Sequence, residues 1–167
     1  PVEATRQSTG LDALIDNRIM ATAERDLLNF ILTYGTTKLE FQSDSAFYSG
    51  SDEDALTVFD FIGQALEGDN SQFANSVFRK VYEAYSKDYY EGYSQDEIVK
   101  RLMDGEDRDM AYVAAQLSTD ERYDLSVKNL RQSMMSKGSW LTIYVPKAIL
   151  VYQQSRLEDK ENELKER

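Results

Sequence analysis

The sequence predicts an all-α fold, a bundle of about five to six helices followed by a C-terminal helical hairpin or long helix. Three observations carry this expectation. Apolar residues recur at three- and four-residue spacings in one window after another. Only two prolines and eight glycines interrupt the 167 residues, so long segments run unbroken. Helix start and stop signals bracket most of those segments.

Residues 1–20 mix Thr, Gln, Ser and Gly with a short apolar cluster at Leu11, Leu14 and Ile15. They read as the end of an interdomain linker, and a chain that opens on Pro1 reads as a piece of a longer protein. The bundle is expected over residues 21–135, and a hairpin arm over 136–167. The bundle is organised around Glu24 to Gly35, where Leu27, Leu28, Ile31 and Leu32 form one continuous stripe. Glu24 and Asp26 are expected in the first turn, where the helix dipole favours negative charge, and Gly35 at a left-handed C-cap. Thr36 to Phe47 reads as a short extended segment or an ordered loop, ended by the turn residues Ser49-Gly50-Ser51.

A second helix is expected to begin near Ser51 or Asp52, with Ala55, Val58, Phe59, Ile62 and Leu66 inward and Gly68-Asp69 at its end. Its three opening acids, Asp52, Glu53 and Asp54, raise a metal site. At a helix N-terminus they point different ways, so favourable interaction with the dipole is the better account. Ser71 is the expected N-cap of a third helix carrying Phe73, Val77, Phe78, Val81, Tyr82, Tyr85 and Tyr89. The five tyrosines from Tyr82 to Tyr93 raise a stacking platform for single-stranded nucleic acid. Without interleaved Lys and Arg they read as packing residues whose hydroxyls reach water.

Ser94 with Glu97 is a capping box that starts a fourth helix bearing Ile98, Val99, Leu102 and Met103. Gly105 stops it, and Asp107 caps a fifth helix with Met110, Val113, Ala114 and Leu117 inward. The acids Asp104, Glu106, Asp107 and Asp109 lack the spacing of a calcium loop. Tyr123, Val127, Leu130 and Met134 allow a further helix. Pro146 is expected at the first position of the last helix, where its missing N–H costs nothing. In that helix Leu150, Leu157 and Leu164 are spaced by seven and the rest, from Glu158 on, is nearly all charged. Such a helix is too thinly apolar at its end to be deeply buried, which leaves a solvated terminus or a partner-docking arm.

Composition bounds the function. Thirty acids against 19 Lys and Arg give a net charge of −11, which disfavours direct nucleic-acid binding. Absence of Cys removes disulfides and thiolate zinc sites, and absence of His removes the commonest metal ligand and general base. A metal-dependent enzyme would have to use carboxylates alone. No stretch approaches a membrane span, so no membrane association is expected.

The order of several segments resembles the C-terminal, helicase-binding domain of bacterial DNA primase over roughly residues 20–167. They are Glu24 to Gly35, Phe59-Asp60-Phe61-Ile62, and Asn75 to Tyr85 with its Val77-Phe78-Arg79-Lys80-Val81-Tyr82. Tyr123-Asp124-Leu125-Ser126 and Val145-Pro146-Lys147-Ala148-Ile149-Leu150 follow in the same order. The resemblance implies a non-catalytic interaction domain without cofactor or metal, monomeric alone, in a cytoplasmic replisome. Its partner would be the hexameric replicative DNA helicase, whose N-terminal collar binds the hairpin and so couples priming to unwinding. It also implies Tyr144, Lys147, Leu150, Gln153, Gln154, Arg156 and Leu157 as contact residues. A helical adaptor unrelated to replication and a carboxylate-based metal enzyme are the alternatives.

Overall fold

The computed structural model describes residues 19–51, 53–118 and 137–165. Among them are six helices: α1 (Ile19–Tyr34), α2 (Val58–Gly68), α3 (Ser76–Glu91), α4 (Gln95–Met103), α5 (Arg108–Ser118) and α6 (Lys137–Lys165). The described residues hold no strand, only a single antiparallel bridge between Lys38 and Thr57. None of their helices is long and apolar enough to cross a membrane. The linker residues 1–18, Asp52 and the possible helix over 123–134 lie outside the described residues.

α1 is the centre of the bundle and packs against every other helix, most extensively against α6. Leu27, Leu28, Ile31 and Leu32 are all buried, as the stripe requires. The helix starts several residues before Glu24, however. Glu24 therefore lies inside it, buried, with its carboxylate accepting from the backbone N–H groups of Ala74 (2.5 Å) and Asn75 (3.1 Å) just before α3. An acid that reads as a dipole partner of its own helix is a long-range clamp on another.

Gly35 also differs from expectation, because its φ is not positive. A Cβ there would lie 2.7 Å from Tyr85 Cζ and 2.5 Å from the Ile31 carbonyl oxygen. Glycine is required by close approach of α3 and not by a left-handed turn. Gly35→Ala is expected to cost about 2 kcal/mol by overpacking, read as a lower midpoint in urea denaturation at unchanged m-value.

The C-terminus of α1 is closed by Gln95, the first residue of α4. Its amide donates to the carbonyls of Ile31 (3.1 Å) and Leu32 (2.7 Å), while its oxygen accepts from Thr36 N–H (3.2 Å) and the Tyr85 hydroxyl (2.5 Å). All four hydrogen-bonding positions of one side chain are thus used, two of them to satisfy carbonyls that a helix end leaves open.

α2 begins later than expected, with Thr57 as N-cap accepting from Asp60 N–H at 3.1 Å. Two of its first N–H groups are taken by long-range carbonyls, Val58 by Thr37 (2.9 Å) and Phe59 by Gly35 (3.0 Å). These partners fix the start of the helix and leave Glu53 and Asp54 in the preceding turn. It ends on Asn70, in the left-handed region at φ 51°, with Ser71 N–H returning to the Leu66 carbonyl at 2.7 Å. Ser71 therefore closes α2, and Asn75 is the cap of α3, accepting from Val77 and Phe78 N–H at 2.9 and 3.1 Å.

Tyr82, Tyr85 and Tyr89 of α3 pack, as their surroundings suggested, while Tyr90 is largely exposed, and the Tyr85 and Tyr89 hydroxyls find protein partners. Tyr85 donates to Gln95, and Tyr89 to Asp60 at 2.9 Å, around the ring of Phe59. Burial pushes the Tyr85 phenol far above its ordinary value, with the nearby Tyr89 and Asp60 adding to the shift. The capping box at Ser94 and Glu97 and the Asp107 cap of α5 both form as expected. Asn29 of α1 donates to the Leu117 carbonyl and ties α5 in place.

Pro146 lies inside α6, not at its start. The preceding residues are helical despite their β-branched and aromatic character, because Leu141, Val145, Ile149 and Tyr152 are buried along one face. An interior proline costs about 3 kcal/mol, and each such side chain returns about 1.5–3 kcal/mol on burial. The first half of α6 is therefore core, and packing runs across the boundary expected at residue 136. Gly138 lets the helix begin against the loop, since a Cβ there would lie 2.6 Å from the Lys38 carbonyl oxygen. Over residues 137–165 the arm is one helix; a second arm before it would lie outside the described residues.

Candidate functional site

The exposed side of α6 is set by what its other side buries. With Leu141, Val145, Ile149 and Tyr152 turned to the bundle, a helix of 3.6 residues per turn turns Ile143, Leu150, Leu157 and Leu164 outward. These four, spaced by seven, are 54%, 59%, 63% and 69% exposed. Lys147, Gln154 and Glu161 lie between them on the same face.

Of the seven residues expected from the sequence, five are on this surface. Leu150 and Leu157 form its apolar centre, and Lys147 and Gln154 are exposed beside them. Tyr144 is on its flank, with its ring 5.4 Å from that of Trp140. The other two are occupied within the chain. Gln153 donates to Asp69 at 2.6 Å, linking α6 to the end of α2. Arg156 is half-buried on the bundle side, within electrostatic reach of Glu24. There the guanidinium offsets part of the cost of a buried carboxylate, though burial still leaves the Glu24 pKa raised. Gln153 and Arg156 thus face the bundle side of α6 and not the outward stripe.

Ile143, Val151 and Phe47 were missed. Ile143 is seven residues before Leu150, so the stripe extended back through Pro146 finds it. Phe47 carries no such signal, because its exposure depends on the course of a loop. Its ring is 56% exposed yet held 5.3 Å from Phe41 and, edge-on, 5.2 Å from Phe61.

A cavity of about 740 Å³ lies between α3, α4 and α5. Its buried acid, Asp88, is paired with Arg101 Nε at 2.9 Å, and that guanidinium also lies 4.3 Å from the centre of the Tyr93 ring. Among the described residues no three acidic side chains converge as metal ligands would. Among the described residues, the outward stripe of α6 is a run of large aliphatic side chains each more than half exposed.

Comparison with known proteins finds no matching curated protein and no matching solved structure. A family model described as a domain of unknown function, DUF8430, matches residues 12–167. The match spans the bundle and α6 together, and the chain belongs to this DUF8430 family.

Proposed function

We propose that this chain is the helicase-docking domain of a bacterial DNA primase, a non-catalytic module that couples priming to unwinding in the cytoplasmic replisome. The observation that carries the reading is the stripe Ile143, Leu150, Leu157 and Leu164, exposed on a helix whose opposite face is anchored in the core. A helix so held presents apolar anchors at low entropic cost, which is what a helix-mediated protein contact needs. The order of the primase-like segments supplies the partner, the N-terminal collar of the hexameric replicative helicase.

The test is light scattering with size-exclusion chromatography, mixing the chain with the replicative helicase of the same bacterium. Wild type is expected to co-elute with it. Leu150→Asp and Leu157→Asp, each placing a charge in an apolar contact, are expected to weaken binding by about tenfold or more. Their thermal midpoints should stay within about 2 °C of wild type, because both side chains are solvent-exposed. Failure of wild type to bind the helicase removes the replication role.

A further inference from the structure

At the head of the stripe, a groove of about 370 Å³ runs between the loop of residues 40–47 and the first turns of α6. Phe41, Phe47, Ile143 and Pro146 line it, and Glu40 and Asp44 stand on its rim. The loop is preformed. Ser45 N–H bonds the Gln42 carbonyl at 2.9 Å, Phe47 N–H bonds Ser45 Oγ at 3.1 Å, and Glu40 N–H bonds the Gly138 carbonyl at 3.3 Å. Together with the ring contacts to Phe41 and Phe61, these bonds fix an exposed phenyl group where a mobile loop would let it collapse.

We infer that this groove and the α6 stripe form one continuous docking site for a basic amphipathic helix of a partner protein, whose end anchors between Phe47 and Ile143. The inference rests on the docking role of α6 and names what it receives. Ile143 belongs to both surfaces, so they are contiguous. From Ile143 to Leu157 the helix rises about 21 Å, the length of a partner helix of about four turns. The polar surroundings fix the charge of that helix. Glu40 and Asp44 flank the groove, Glu158 and Glu161 flank the far end of the stripe, and the whole chain carries −11. Lys147 and Lys160 are the basic residues on the exposed side between them. A partner helix with Lys or Arg beside its apolar face meets attraction at both ends, and an acidic one meets repulsion.

The probe is a fluorescein-labelled synthetic peptide of Leu and Lys patterned as an amphipathic helix, with a Leu/Glu peptide of the same pattern as control, read by fluorescence anisotropy against the full chain. The Lys peptide is expected to bind and the Glu peptide not to. Phe47→Ala is expected to weaken the Lys peptide about tenfold, and Asp44→Lys to weaken it and flatten its salt dependence. Asp44→Lys keeps the thermal midpoint, since its side chain is exposed, and Phe47→Ala lowers it by no more than a few degrees, since more than half of its ring is in water. Equal binding of both peptides, or wild-type binding by both variants, overturns the inference. So does a concentration-dependent dimer of the free chain that Phe47→Ala dissolves, because a second copy is then the occupant. The same variants mixed with the helicase separate the two readings. If Leu157→Asp abolishes that complex while Phe47→Ala and Asp44→Lys leave it intact, α6 docks the helicase and the groove takes no part.

Discussion

A chain ending at residue 138 is expected to lose its cooperative unfolding transition. The deletion removes Leu141, Val145, Ile149 and Tyr152, all buried, and uncovers the side of α1 that they cover. At about 1.5–3 kcal/mol for each side chain, the loss is about 6–12 kcal/mol, as large as the whole stability of an ordinary domain. Even half of that loss leaves a marginal bundle. A chain ending after Leu157 loses, among the described residues, no buried side chain and is expected to melt within about 2 °C of the full chain. Circular dichroism melts of the two truncations check this. A cooperative melt from the shorter chain would show that α6 is an appendage and not part of the core. Testing partner binding by deletion therefore calls for a cut in the far half of α6 or for point substitutions.

Substituting Glu24 by Ala is expected to destabilise the chain by about 3 kcal/mol. Two backbone N–H groups ahead of α3 lose a charged acceptor, and Arg79 and Arg156 lose their common counter-charge. Glu24→Gln keeps one acceptor oxygen and should lose less. The pair also predicts a pH dependence. Burial raises the folded-state pKa of Glu24 against the lowering effect of its two backbone hydrogen bonds and the two arginines. A raised pKa means that the folded chain holds this proton more tightly than the unfolded chain does. The contribution of this group to stability is therefore greatest below the ordinary carboxylate range, falls as pH rises through the folded pKa, and is level above it. Urea denaturation across that range should show wild type losing stability relative to Glu24→Gln as pH rises. A constant difference would mean that the carboxylate titrates like a solvated one.

Where a signal and its partner lie within one turn, the sequence was readable. Ser94 and Glu97 cap α4 and Asp107 caps α5 because each bond closes within three residues. The signals that misled are those decided at long range. Acids at 52–54 look like a helix start, but Val58 and Phe59 N–H go to Thr37 and Gly35, and these set the register of α2. Glu24 looks like a partner of its own helix dipole and instead holds the approach to α3. Pro146 satisfies every local rule for a first position, and burial against α1 overrides them all.

The same division holds at the docking surface. Seven-residue spacing identified Leu150 and Leu157, because periodicity needs no knowledge of neighbours. It did not separate Gln153 and Arg156 from Lys147 and Gln154. That distinction depends on which side of α6 faces α1, and the Pro146 boundary concealed Leu141 and Val145, the residues that decide it.

The far end of α6 has a consequence for the energetics of recognition. After Ser155, its last buried residue, ten helical residues extend about 15 Å with exposed leucines and charged groups and little of the bundle to lean on. That segment continues a helix already nucleated in the core, so its order costs less than that of an isolated peptide of the same length. A partner that covers Leu157 and Leu164 takes their apolar surface out of water and adds a heat-capacity decrement to binding. The near half thus fixes where a partner lands, and the far half extends the apolar surface it can cover.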